Sequence, residues 1–248
     1  MLFISTKATK PLQKIFRLFP SCAAYSFNVK LSASNPFRSI MMLKTFSKSF
    51  AILALVAFVA ACSDSSTPTE GKQYRTLDTN LSTYRLPQVT EVFSLGCGHC
   101  RNLEPMLPEL ESKIDSKLGK MHVMFNDSAK VAAMIFYTAV MQSEGGKVPA
   151  DMKDSLFALV QDRDLDGAAK KAELDRIFES RNMVSPYALD EAQQEQLFTY
   201  LEQAEAVSME AQINAVPTFI VNGKYEVMIS GHQGIDEIAE TINYLKTK

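Results

Sequence analysis

Val89-Thr90-Glu91-Val92-Phe93-Ser94-Leu95-Gly96-Cys97-Gly98-His99-Cys100-Arg101-Asn102-Leu103 runs from an apolar, strand-like stretch through two cysteines into a helix-like segment. Two thiols three positions apart at the head of a helix can close a small disulfide ring and reopen it. The species that attacks a disulfide is the thiolate, and an ordinary cysteine with a pKa of about 8.5 supplies little of it at neutral pH. Cys97 falls where a helix start presents unpaired amides and positive dipole potential, which favour the anion. His99, between the cysteines, favours it further. Cys97 is therefore assigned as the nucleophile and Cys100 as the more buried resolving thiol. A zinc half-site and an inert bridge are the competing readings. Zinc needs about four ligands, and beyond residue 61 the chain offers only His99, His122 and His232 besides Cys62 and this pair, with no second cysteine pair. Covalent haem attachment would need a histidine after Cys100, where Arg101 stands.

Working outward, residues 88–95 read as a buried strand, 100–118 as a helix kinked near Pro105 and Pro108, and 120–126 as a second strand. That order makes a βαβ unit with parallel strands. Helical periodicity then takes over in 129–143, 150–161, 167–180 and 189–212. The acidic stretch 162–166 lacks the glycine and terminal glutamate of an EF-hand loop and reads as a solvated turn. Strand character returns at Thr218-Phe219-Ile220-Val221, followed by Asn222-Gly223 and a second apolar run, which is a hairpin signature. Residues 235–245 close the chain as a helix with Ile235, Ile238, Ala239, Ile242 and Leu245 on one stripe. The expected class is α/β: a thioredoxin fold built from 88–127 and 213–248, with a helical domain inserted at 128–212.

The chain resembles the DsbA-type thiol:disulfide oxidoreductases over residues 89–248, on three motifs in family order. These are Glu91-Val92-Phe93-Ser94 leading into the redox pair, Lys120-Met121-His122-Val123-Met124-Phe125, and Val216-Pro217-Thr218-Phe219-Ile220-Val221-Asn222-Gly223-Lys224-Tyr225. The resemblance implies an enzyme that donates a Cys97–Cys100 disulfide to reduced or unfolded exported polypeptides, uses no other cofactor, acts as a monomer and is reoxidised by a DsbB-type membrane partner. It also implies a cis-proline loop in which Val216, ahead of Pro217, offers its backbone to a substrate strand. It places Glu91 beneath the redox pair, with Lys120 as partner, to relay the Cys100 proton; a solvent-facing edge carboxylate is the alternative. His122 and His232 read as ordinary strand and loop histidines, and the Met and aromatic residues of the inserted helices as mostly core. One departure stands out. Gly98 replaces the family's usual proline and makes the central dipeptide that of protein disulfide isomerase, so an envelope reductase or isomerase competes with the oxidase reading. A non-catalytic, lipid-tethered, peptide-binding holdase is the alternative from another class.

The N-terminal region addresses location. Residues 1–61 hold eight basic side chains and no acidic one, and the first acid is Asp64. A short cationic start at 41–48 precedes an apolar run at 50–61, the layout of a cleavable secretory signal and too short for a comfortable span, which needs about 20 apolar residues. Val59-Ala60-Ala61-Cys62 resembles a lipobox, in which Cys62 is lipidated and becomes the mature N-terminus; an ordinary signal with a chance cysteine is the alternative. Residues 1–40 fit a mis-assigned start or a transit peptide, and 62–87 a tether and N-terminal segment. The expected location is the periplasm, on a lipid anchor in a bacterial membrane. Eight of the 26 basic residues leave with 1–61 while all 28 acidic ones remain, so residues 62–248 carry a formal charge of −10. Nucleic acid is excluded as a partner on that balance. No metal is expected.

Overall fold

The computed structural model describes residues 67–248. The signal-like segment and Cys62 lie outside the described residues. Five strands form one sheet: β1 (Tyr74–Thr76), β2 (Val89–Phe93), β3 (Gly119–His122), β4 (Thr218–Val221) and β5 (Tyr225–Val227), in the order β1-β5-β4-β2-β3. The β2–β3 pair is parallel and the other three pairs are antiparallel. All five residues of β2 are buried, as befits a strand with neighbours on both edges and helices over the sheet.

Between β2 and β3 lie α1 (Gly98–Leu103) and α2 (Leu107–Ile114), joined by one tight turn at Glu104–Met106. Pro105 and Pro108 each stand in the first turn of their segment, where the missing N–H is no loss, so the expected single kinked helix is two short ones. Asp115, at φ 45°, ends α2 earlier than the pattern implied. The second strand is also shorter than expected, because Asn126 turns out to cap the next helix through the Ala129 N–H. Gly119 opens β3 against the Pro87 ring, and a Cβ there would collide with it.

Four helices follow between β3 and β4: α3 (Asp127–Gln142), α4 (Ala150–Gln161), α5 (Gly167–Glu179) and α6 (Glu191–Glu210). Asp166 caps α5, and Asp190 with Gln193 forms a capping box on α6. In the acidic turn ahead of α5, Asp162 accepts the backbone N–H groups of Asp164 and Leu165. The β4–β5 hairpin turns on Asn222 and Gly223, both at positive φ (54° and 61°), as the Asn-Gly pair implied. Helix α7 (Ile235–Lys246) completes the chain.

The sheet separates two cores. Phe219 and Val221 of β4 join α2 and α7 in one cluster with Leu107, Leu110, Ile238 and Ile242. Ile220, pointing the other way, joins the larger cluster with Phe136, Phe157, Phe178 and other side chains of α3 to α6. The strand β1 was not foreseen. It pairs with β5 through Tyr74, Arg75 and Thr76, and the residues after it, Leu77 and Leu81, are buried. Part of the stretch read as tether and N-terminal segment is thus the fifth strand of the sheet.

Candidate active site

The turn from β2 into α1 carries the two cysteines, both free thiols. Cys97 occupies the cap position of α1 with extended backbone, and its sulfur accepts the Cys100 N–H at 3.1 Å. That amide belongs to the first helical turn and has no intrahelical partner, so the local fold aims a donor at this sulfur. The Cys97 thiol, half-buried, also reaches the Val216 carbonyl at 3.6 Å. Val216 and Pro217, joined by a cis peptide bond, precede β4, and β4 pairs with β2 along its length. The strand pairing therefore brings two segments more than a hundred residues apart to one sulfur. Gly98 and His99 are exposed, and the space a Gly98 side chain would enter is empty.

Cys100 is enclosed. It is fully buried, and burial first, then its hydrogen bond with Cys97 and the nearby Cys97 and Glu91 charges, push its thiol far up. Glu91 is also fully buried, which removes the solvent-facing alternative. Glu91 lies opposite Lys120 in the parallel register, and Lys120 Nζ meets Glu91 Oε2 at 2.5 Å. Glu91 Oε1 has no hydrogen-bond partner among the described residues. Burial pushes the Glu91 carboxyl up, against the pull of Lys120. Burial opposes the Lys120 charge too, but Glu91 and Glu104 outweigh it and hold the ammonium above its usual range.

Four side chains complete this arrangement that sequence reasoning did not assign to the site. Glu104 follows α1 and contacts Lys120, while its second oxygen accepts from Lys153 of α4 at 2.7 Å. Gln161, the last residue of α4, donates its amide to the carbonyls of Leu95 (2.9 Å) and Cys97 (3.2 Å). His122, read as an ordinary strand histidine, is buried in β3; its Nε2 accepts the Leu95 N–H at 2.8 Å and its Nδ1 lies 2.7 Å from the Val123 carbonyl. These bonds fix the neutral tautomer with the proton on Nδ1, and burial pushes the ring down to about 4. Spacing offered one signal: Glu104 lies one helical turn beyond Cys100. Nothing local pointed to Lys153 or Gln161, which arrive from the inserted helices.

Comparison with known proteins places this geometry. The family model described as thioredoxin matches residues 86–244. The thiol:disulfide interchange protein DsbA of Salmonella typhimurium is 30% identical over 210 residues, covering 79% of this chain and 97% of the relative. The protein of the same name from Pseudomonas aeruginosa is 24% identical over 202 residues, covering 80% of this chain and 93% of the relative. The crystal structure of Pseudomonas aeruginosa DsbA superposes with a TM-score of 0.56 at 25% identity, over 75% of this chain and 96% of that one.

Proposed function

The chain belongs to the thioredoxin family and, within it, to the DsbA-type disulfide oxidoreductases, and from that premise we propose that it introduces disulfides into exported proteins by cycling Cys97–Cys100 between disulfide and dithiol. The observation that carries the reading is the unequal placement of the two sulfurs: Cys97 beside the Val216 carbonyl, Cys100 fully buried. A substrate thiolate attacks Cys97 Sγ, the Cys97–Cys100 bond breaks, and Cys100 leaves as a thiolate that takes up a proton. A second substrate thiolate then attacks the substrate sulfur of the mixed disulfide. The substrate disulfide forms, Cys97 leaves as a thiolate, and the pair has gained two electrons, which a DsbB-type membrane partner removes.

Val216 offers its backbone to the substrate as a pairing edge. Glu91, raised by burial and held by Lys120, gives a proton to Cys100 when it leaves and takes it back when Cys100 attacks. His99 and Gly98 set the poise of the pair from the solvent side. The cationic and apolar stretches before Cys62 support export, with Cys62 lipidated and the enzyme tethered in the periplasm.

Gly98 favours a second reading, a reductase or isomerase, because its dipeptide is that of the disulfide isomerase, about 60 mV less oxidising than DsbA, or about 2.8 kcal/mol for two electrons. Thiol trapping in whole cells separates the readings. Cys97 and Cys100 found oxidised support the oxidase, and found reduced support the reductase. A pair that ignores added reductant would make the protein a passive binder.

A further inference from the structure

The cluster beneath Cys100 does not end at Glu91 and Lys120. Lys120 is shared by two carboxylates, Glu91 at 2.5 Å and Glu104, and Glu104 is held from its other side by Lys153 Nζ at 2.7 Å. The four form a chain of alternating charge from the centre of the sheet to α4, with side-chain exposures of 0%, 15%, 16% and 15% from Glu91 to Lys153. They border a cavity of about 830 Å³ between the sheet and the inserted helices, lined by Glu104, Lys120 and Lys153 and open to solvent. Two acids and two bases balance. Glu91, Lys120 and Glu104 alone would leave one excess negative charge in a poorly polarisable place, where such an excess is costly.

We propose that Lys153, supplied by the inserted helix α4, sets the charge state of Glu91 through Glu104 and so makes the inserted helices part of the proton machinery of the redox pair. The use of that proton rests on the reading of Glu91 as the proton partner of Cys100. The charge argument does not. If Lys153 loses its charge, protonation relieves the surplus, and the carboxyl that gains most by it is the fully buried one, Glu91. If Glu104 loses its charge, Lys120 is left to Glu91 alone and the Glu91 anion is favoured. The two changes act in opposite directions, which general damage to packing would not produce. The influences on Glu91 run in this sense: burial pushes it up, Lys120 pulls it down, the Glu104 charge pushes it up and Lys153 pulls it down. The other charged groups facing the cluster are largely paired away from it or line the cavity. Arg101 binds Asp154 at 3.2 Å, Lys117 binds Glu111 at 2.8 Å, and Lys147 and Arg85 stand along the cavity wall.

The test is a carbon-13 NMR titration of the glutamate side-chain carboxyls in the full protein, with Glu91→Gln used to assign the Glu91 signal. The Glu91 midpoint is expected to rise by about one pH unit, a tenfold change in its protonation ratio, in Lys153→Met. It is expected to fall by a similar amount in Glu104→Gln and to stay near the parent value in Lys153→Arg. If Lys153→Met does not fold, Lys153→Gln, which removes the charge and keeps a polar tip, takes its place in the comparison. A midpoint that stays put when Lys153 loses its charge or in Glu104→Gln, or that moves the same way in both, overturns the proposal. The proton-partner reading is tested separately by the rate at which Glu91→Gln resolves a mixed disulfide. A parent-like rate there would sink that reading while leaving the titration result to decide this one.

Discussion

Cys97 and Cys100 stand three residues apart and face different media. Cys97 is half-buried, caps α1 and lies against the Val216 carbonyl, so its neighbours are backbone groups and solvent. Cys100, fully buried, is pushed far up by burial, above a cluster of four charges drawn from β2, β3, the turn after α1, and α4. On the proposed reading, one thiol meets a polypeptide and the other manages a proton. The contrast teaches that two thiols three residues apart can be given separate surroundings, so that on this reading the two halves of disulfide exchange can be perturbed separately.

The strongest way to break the contrast is to remove each sulfur in turn. Cys97→Ser is expected to abolish exchange with both glutathione and protein thiols. Cys100→Ser, which cannot hold the internal disulfide, is expected still to attack oxidised glutathione or a protein disulfide through the Cys97 thiolate, releasing the other thiolate, and to accumulate mixed disulfides at Cys97, visible by mass spectrometry under non-reducing conditions. Equal loss in the two variants would show that the sulfurs are not divided in role. Next in size, Glu91→Gln is expected to slow attack by Cys100 on a mixed disulfide at Cys97 about a hundredfold, the low end of the range for loss of a positioned proton group, with thiolate formation at Cys97 little changed. Stopped-flow kinetics of both steps across pH would check this, and an unchanged pH profile for resolution would remove Glu91 from the mechanism.

A third test concerns the scaffold that holds the turn. Burial holds His122 down to about 4 in the fold against about 6.5 when unfolded, so between those pH values the unfolded chain binds more protons. Stability should therefore fall as pH drops through that window, by about 3 kcal/mol in total. In His122→Asn this slope should vanish, as read by urea denaturation at several pH values; a slope that persists would place its source elsewhere. The smallest expected effect sharpens the solvent side of the pair. Gly98 opens α1 where a proline is accommodated, and nothing occupies the space beside it. Gly98→Pro is expected to move the equilibrium with glutathione toward a stronger oxidant by tens of millivolts, up to about 60 mV. A shift in the opposite direction would detach poise from the central dipeptide.

Legibility followed the range of the interactions. The strand-to-helix passage at 89–103, the Asn222-Gly223 turn and the stripe of α7 are local patterns, and the fold class could be read from their order. The pairing of Glu91 with Lys120 was reached through family resemblance, and the parallel register of β2 and β3 supplies its physical basis. The strand β1 escaped notice because three residues with arginine at the centre show no period; only β5 makes them a strand. Lys153 and Gln161 escaped for a related reason. Both sit on α4, whose own pattern is amphipathic and ordinary, and they acquire their places only when α4 packs back, Gln161 on the turn after β2 and Lys153 on Glu104 after α1. His122 reads from sequence as an ordinary histidine, and it is a satisfied one, but the backbone group it satisfies belongs to the turn that carries Cys97.

The most direct measurement mixes the oxidised protein with a reduced, unfolded polypeptide containing two thiols and follows both by mass spectrometry after acid quench. Transfer of one disulfide per molecule is expected, leaving Cys97 and Cys100 as thiols, with any trapped intermediate joined through Cys97. A substrate that stays reduced while Cys97 and Cys100 stay oxidised would contradict the account.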